Sequence, residues 1–286
     1  RVKPWVGVIG TIFTYIQSYA HVWRPVNMQT VYPFIFLFYV SLLRFIREQS
    51  RKNILFLGLT TGATFYFYAY FWQTAIITLG LVFLYALALK NWPLLRATFF
   101  SFCIGVVIGL PVPLYALWLM HSSPYFWESV GRLGLVNTHL PMAEVIYSGG
   151  WVGVVCALLA ILYWRVKVLR ENRELLMIGA FFVISGLGLW IMEGSNLITG
   201  KLLETGEHVS GLIYTWLVFT TVSIATLLWN VRAVLSRSIR WIAFAVVVLL
   251  SAVSINFMRH SLAAFSSPHV DSVIWRSRQS YAKPFA

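Results

Sequence analysis

The densest concentration of acid, base, amide and imidazole groups lies at residues 192–208, in the short sequence MEGSNLITGKLLETGEH. Glu204, Glu207 and His208 stand at positions i, i+3 and i+4, so they share one face if this segment enters a helix. Polar groups at the end of a membrane span are costly unless they face water, a partner or a ligand. The pattern therefore predicts the rim of a functional cavity, with an ordinary polar loop as the open alternative.

Two further polar segments could meet this stretch. Residues 20–30 bring His21, Arg24, Asn27 and Gln29 to the ends of two apolar runs. Arg24 is suited to a phosphate, since a guanidinium binds such oxygens bidentately, although snorkelling to lipid head groups is the slightly favoured alternative. Residues 121–149 are too long for a simple connection and carry Glu128, Arg132, His139 and Glu144. Within them, Phe126 and Trp127 predict a short helix along the membrane interface.

The composition is that of a polytopic membrane protein. Of 286 residues, 59% are hydrophobic and 11% charged, and the mean hydropathy is +0.76, which is more apolar than a soluble domain of this size requires. The formal net charge of +13 comes from short basic clusters between apolar runs, which indicates membrane topology rather than a nucleic-acid surface. Cys103 and Cys156 lie inside apolar runs and indicate neither a disulfide framework nor a metal site.

We predict an all-α transmembrane bundle over residues 1–257, followed by a C-terminal tail at residues 258–286. A helix needs about 20 apolar residues to cross a bilayer, with shorter runs tolerated. On this measure about nine spans are predicted, at residues 5–20, 31–46, 54–68, 70–89, 98–120, 150–164, 175–192, 211–228 and 241–257. The run at residues 54–89 is too long for one crossing, so the chain must turn back, and the aromatic string at 65–72 is the predicted turn.

Basic residues set the orientation of the predicted bundle. The clusters at residues 44–52, 90–96, 165–173 and 232–240 fall on one side, which is cytoplasmic by the positive-inside rule. The loops at residues 121–149 and 193–208 are then external. The tail places Arg259, Arg276, Arg278 and Lys283 on the predicted outer side, so its location stays open.

Small residues at four-residue spacing predict close helix packing. They occur as three pairs: Gly58 with Gly62, Gly105 with Gly109, and Gly149 with Gly153. Pro111 and Pro113 lie inside the fifth predicted span and should kink it, since proline removes a backbone donor.

Several functional classes are disfavoured. The sequence has no phosphate-binding glycine loop, Gly-x-Ser-x-Gly elbow, His-Glu-x-x-His motif or paired histidines at metal spacing. Glu207 and His208 are adjacent and cannot both reach one ion without help from elsewhere. The predicted spans contain almost no Asp, Glu, Lys or Arg, which lowers the odds of an ion or proton transporter.

The stretches RPVNMQTVYPFIFLFYVSLLRFI, GLTTGATFYFYAYFWQTAIITLGLVFLYAL and NLITGKLLETGEH resemble bacterial polytopic membrane proteins of the GT-C glycosyltransferase fold. The resemblance implies an enzyme of the bacterial inner membrane that uses polyprenyl-phosphate-linked sugars. In that family the catalytic Asp or Glu lies in the first outer loop, and no residue here matches it. Because the sequence begins at Arg1, we expect it to be the later part of such an enzyme, with the catalytic carboxylate and any divalent metal site upstream.

The implied reaction transfers a sugar from a lipid phosphate to an acceptor on the outer face of the membrane. A carboxylate would activate the acceptor hydroxyl, and cationic groups would stabilise the leaving phosphate. The candidates for substrate binding are Arg24, Arg132, Lys201 and His208 for the phosphate, Glu204 and Glu207 for the acceptor, and Asn196 beside them. The alternatives are a non-catalytic channel, flippase or export subunit for a lipid-linked glycan, and a structural membrane subunit. The sequence leaves the sugar, the acceptor and the oligomeric state undetermined.

Overall fold

The computed structural model describes residues 28–68, 70–132, 136–141, 143–202, 205–231 and 237–266. These residues form helices with short connections and one pair of two-residue strands, so the predicted helical class is confirmed. In chain order the helices are α1 (Met28–Arg47), α2 (Arg51–Phe67), α3 (Phe71–Ala88), α4 (Trp92–Gly109), α5 (Pro111–Ser122), α6 (Phe126–Arg132), α7 (Ala143–Arg165), α8 (Lys167–Glu171), α9 (Arg173–Glu193), α10 (Asn196–Thr199), α11 (Thr205–Val231) and α12 (Arg237–Ser266). The strands are β1 (Val136–Asn137) and β2 (Lys201–Leu202). Residues 29–216 form one compact unit, and the described residues from 217 onward belong to another.

Five of the described helices are long and apolar enough to cross a membrane, so the chain is a multi-pass integral membrane protein. The crossing segments lie at Phe71–Ala88, Trp92–Gly109, Val145–Arg165, Arg173–Glu193 and Gly211–Trp229. Every predicted span from residue 31 onward overlaps a helix, whereas the first, at residues 5–20, lies outside the described residues. The total of about nine spans therefore stays a prediction.

Two interruptions shape the middle of the chain. Helix α2 ends at Phe67 and α3 begins at Phe71, so the predicted break in the run at residues 54–89 is confirmed. The predicted span at residues 98–120 is divided instead of continuous, because α4 ends at Gly109 and α5 begins at Pro111. Proline has no backbone N–H to continue the helical bonding. Beside this break, the Tyr66 hydroxyl of α2 donates to the Ile108 carbonyl at 2.7 Å.

The first two glycine pairs pack α2 against α4 with almost no space between them. A Cβ placed on Gly58 would lie 2.7 Å from the Ile104 Cβ, and one on Gly105 would lie 2.7 Å from the Thr61 Cγ2. Both distances are far below van der Waals contact, so only glycine allows this approach. The predicted close packing is confirmed here. In the third pair only Gly149 has this role, since it faces Trp190 of α9 while Gly153 faces open space.

The two predicted membrane surfaces correspond to the two ends of α9. Near its first turn, Glu174 accepts a hydrogen bond from the last residue of α1, Arg47, at 2.7 Å, which places Ser50 near this end. Ser195 follows the other end, about 30 Å away at 1.5 Å per residue. The helix is therefore long enough to hold these two serines on opposite faces of a bilayer.

We expect single cysteines at these two positions, in a background lacking Cys103 and Cys156, to differ in their reaction with a membrane-impermeant thiol reagent. In intact cells Ser195→Cys should label and Ser50→Cys should label only after permeabilisation, because the basic residues beside Ser50 hold that end in the cytoplasm. Equal labelling of the two variants in intact cells would contradict the predicted orientation.

Candidate functional site

Two segments predicted to be external loops are joined by backbone pairing. Strands β1 and β2 are antiparallel, with Val136 opposite Leu202 and Asn137 opposite Lys201. The Thr138 N–H extends the pairing by donating to the Gly200 carbonyl at 3.1 Å. We call residues 136–140 and 193–202 the paired-loop cluster. Residues 193–202 therefore meet part of the loop at 121–149. The predicted convergence of all three segments stays a prediction, because residues 20–27 lie outside the described residues.

The Asn196 side chain joins the two segments of the paired-loop cluster by hydrogen bonds. This side chain is fully buried, and its Nδ2 donates to the carbonyls of Thr138 at 3.2 Å and Leu140 at 2.8 Å. An amide with two N–H groups is suited to this double contact. Its Oδ1 is also buried and accepts no hydrogen bond from the described residues. Asn196 thus determines where the strand that carries Asn137 lies.

A left-handed glycine ends the short helix α10 and turns the chain into β2. Gly200 has φ of +64°, a conformation that favours glycine, and its N–H donates to the Asn196 carbonyl at 2.8 Å. A Cβ at this position would also lie 2.7 Å from the His139 Nε2. Both the backbone conformation and the contact with His139 therefore require glycine.

The exposed polar groups of the cluster are an ammonium and an imidazole. The Lys201 Nζ donates to the Asn137 Oδ1 at 2.7 Å, and both side chains are exposed. The His139 Nδ1 lies 3.1 Å from the Leu197 carbonyl. Because a carbonyl oxygen only accepts, Nδ1 carries the hydrogen and the ring is held by that bond. The cluster thus presents an ammonium group and an imidazole whose orientation is fixed by a hydrogen bond.

A buried carboxyl group lies where α9 enters the cluster. Glu193 is the last residue of α9 and is completely buried, and its Oε2 accepts a hydrogen bond from Ser148 of α7. Beside it, the Trp190 indole donates to the Val145 carbonyl at 3.3 Å, and Gly149 leaves room for that ring. Burying a carboxyl group at a span end is costly unless it is bonded, so these helices hold the base of the cluster in a defined arrangement.

The predicted site residues are only partly placed by the structure. Asn196 and Lys201 lie in the cluster, as described. Arg132 ends α6, and Glu207 and His208 lie in the first turn of α11, but the description of the structure does not extend to these three side chains. Arg24 and Glu204 lie outside the described residues altogether.

Comparison with protein-family models, with curated proteins and with solved structures found no match for this chain. Function must therefore be inferred from the chemistry of the paired-loop cluster. Within the described part of the chain, no group of three His, Cys, Asp or Glu side chains is placed to hold a metal ion. The cluster does contain the ammonium group of Lys201, which has N–H donors for a ligand. An ammonium has three N–H groups, and the bond to Asn137 uses one.

Neither Asn137 nor His139 is among the residues that the sequence predicts to bind substrate. The available signal was the run Asn137-Thr138-His139 between two apolar stretches of a long loop. Polar runs are common in loops, so this run does not by itself indicate a binding site. Strand pairing gives it significance by placing Asn137 opposite Lys201.

Proposed function

We propose that this integral membrane protein binds a polyprenyl-phosphate-linked sugar at the paired-loop cluster on the outer face of the bacterial inner membrane, and that it transfers the sugar to an acceptor, as GT-C glycosyltransferases do. The observation that supports this proposal best is the pairing of β1 with β2 at the end of a membrane span, which places Asn137, His139 and Lys201 together. A lipid-linked substrate presents its phosphate at this level of the bilayer.

In the proposed reaction an acceptor hydroxyl attacks the anomeric carbon of the sugar. The bond from that carbon to the phosphate oxygen breaks, its electron pair remains on the lipid phosphate, and the hydroxyl proton passes to a carboxylate. Lys201 would stabilise the charge that grows on the phosphate, since its ammonium keeps donors beyond the bond to Asn137. Glu204 or Glu207 would bind the acceptor, and the proton-accepting carboxylate remains to be assigned.

A non-catalytic subunit that passes a lipid-linked glycan is the second candidate. The complete burial of Glu193 favours it, because this is the acidic side chain of the paired-loop cluster and it is enclosed by the helices. Such a subunit would bind the lipid phosphate without breaking any bond. Turnover therefore separates the two functions, whereas binding tests the site that they share.

We expect Lys201→Gln to weaken binding of farnesyl monophosphate, a short-chain polyprenyl phosphate, by about tenfold, as loss of one charge-assisted hydrogen bond implies. Binding is measured by titration of the purified full-length protein. Lys167→Gln is the matched control, since it removes the same charge near the opposite end of the α7–α9 helix pair, where Lys167 faces Glu171 at 3.6 Å. Equal affinities of Lys201→Gln and the unmodified protein would contradict this site.

Turnover is tested with a radiolabelled hexosyl undecaprenyl phosphate incubated with membranes that contain the full-length protein. Release of undecaprenyl phosphate with label in a polar product supports sugar transfer. Binding of farnesyl monophosphate with no release of label supports the non-catalytic subunit instead.

A further inference from the structure

A second polar cleft lies at the other end of α9, away from the paired-loop cluster. It has a volume of about 510 Å³ and is formed where the end of α1 and the starts of α2 and α9 meet. Its lining residues are Arg44, Arg47, Glu48, Asn53, Glu174 and Met177. Nothing in the proposed sugar transfer uses this cleft.

Two of the four charged side chains that line the cleft form an ion pair, and the other two form none with the described residues. Arg47 and Glu174 bind each other at 2.7 Å and so neutralise each other. Arg44 and Glu48 stand one helical turn apart, yet within the described part of the chain neither side chain forms an ion pair or a hydrogen bond. The cleft therefore presents one free cation and one free anion side by side, with no net charge among its four ionised groups.

The walls of the cleft are fixed by the helix ends. The Asn53 Nδ2 donates to the Glu48 carbonyl at 2.9 Å, which ties the start of α2 to the end of α1. The Arg47–Glu174 pair joins α1 to α9, and α9 crosses the membrane. Because Glu174 lies in the first turn of that span, the cleft lies at the level of the lipid head groups. Met177, about one turn deeper, supplies an apolar wall.

We propose that this cleft binds the head group of a zwitterionic aminophospholipid, phosphatidylethanolamine, from the leaflet on the predicted cytoplasmic side. The lipid phosphate binds the Arg44 guanidinium, and the lipid ammonium binds the Glu48 carboxylate. The acyl chains run past Met177 into the bilayer. The proposal stands apart from the proposed sugar transfer, because it rests on residues at the other end of α9.

Charge complementarity selects this lipid among the common phospholipids. Phosphatidylethanolamine carries one negative and one positive group, as the free groups of the cleft require. Phosphatidylglycerol has no cation for Glu48 and would place its phosphate near an unpaired carboxylate. Phosphatidylcholine has a positive group that cannot donate a hydrogen bond, so it makes a weaker contact with Glu48.

The test compares dioctanoyl forms of the three lipids bound to the purified full-length protein, measured by native mass spectrometry over a range of lipid concentrations. We expect phosphatidylethanolamine to bind with the highest affinity. Arg44→Gln should weaken it about fivefold, the effect of one partly exposed charge pair. Glu48→Gln should weaken it similarly and, by removing the repelling carboxylate, strengthen phosphatidylglycerol binding.

The control is Arg96→Gln, which removes an exposed arginine outside the cleft. It should leave all three affinities unchanged. Each variant is first shown to unfold at the temperature of the unmodified protein, which is expected because the substituted side chains are exposed. Tighter binding of phosphatidylglycerol than of phosphatidylethanolamine to the unmodified protein would overturn the proposal. So would unchanged phosphatidylethanolamine affinity in both cleft variants.

Discussion

Replacing Gly62 with leucine is expected to destabilise this protein strongly and to lower its yield, whereas Gly80→Leu should be tolerated. A Cβ on Gly62 would lie 2.5 Å from the Ile108 Cβ and 3.0 Å from the carbonyl oxygen of Gly105. The second of these atoms belongs to the backbone of α4 and cannot rotate away. The two helices would have to separate, and overpacking of this kind costs about 3 kcal/mol or more, a large part of the free energy of unfolding of a typical protein.

The matched control has the same substitution in a neighbouring helix. A Cβ on Gly80 of α3 meets no atom within 4 Å, and this residue borders an apolar cavity between α3 and α4. Both variants are measured by the yield of monodisperse protein in detergent and by the temperature of unfolding. If Gly62→Leu is recovered at the same yield and unfolds at the same temperature as Gly80→Leu, the tight contact between α2 and α4 does not stabilise the fold.

The glycine pairs show how far the sequence predicts the packing. Four-residue spacing predicts that a backbone can be approached closely, and this holds for Gly58, Gly62 and Gly105. The spacing does not say which helix will approach. Gly149 faces the Trp190 ring and Gly153 faces open space, although both satisfy the same pattern. The choice of partner depends on the tertiary arrangement, which a local pattern does not contain.

Chain breaks were predictable where the chemistry is local. The aromatic string near residue 68 and the proline at 111 both mark ends of helices, because each acts on its own segment of the chain. Hydropathy alone predicts a single span at residues 98–120, because an average over many apolar residues does not register a break at Leu110. The structure divides them there and leaves α5 with no buried residue.

The candidate site was predictable as a region but not as a geometry. The density of polar groups predicts a site at residues 192–208, and this stretch does contain the buried Glu193 and the anchoring Asn196. The predicted rim of the cavity includes an interior residue, however, because Glu193 is completely buried and accepts a hydrogen bond from Ser148 of α7. Lys201 meets Asn137, which lies 64 residues earlier, and no local pattern could have matched them.

The anchoring role of Asn196 gives the second large effect. We expect Asn196→Ala to release β1 from β2, because it removes both donors that hold the Thr138 and Leu140 carbonyls, and two part-buried hydrogen bonds stabilise by about 2 kcal/mol. The readout is a disulfide between cysteines at Val136 and Leu202, which are directly opposite in the antiparallel pair. Opposite positions in such a pair are close enough for this bond. In a background lacking Cys103 and Cys156 the cross-link should form readily, and Asn196→Ala should slow its formation several-fold.

Asn53→Ala is the matched control, since the Asn53 Nδ2 also donates to two carbonyls, those of Arg44 and Glu48, but near the opposite end of α9. It should leave the rate of cross-linking unchanged.

The same cysteine pair tests whether Asn196 affects ligand binding only by positioning the two strands. Once the slow cross-link has formed in Asn196→Ala, the strands are again held together, and binding of farnesyl monophosphate should return to the level of the cross-linked protein that retains Asn196. Failure of binding to return would mean that Asn196 supports the phosphate site in a way that strand pairing alone does not restore. Equal rates of cross-linking in Asn196→Ala and the protein that retains Asn196 would show that Asn196 does not hold the loops together.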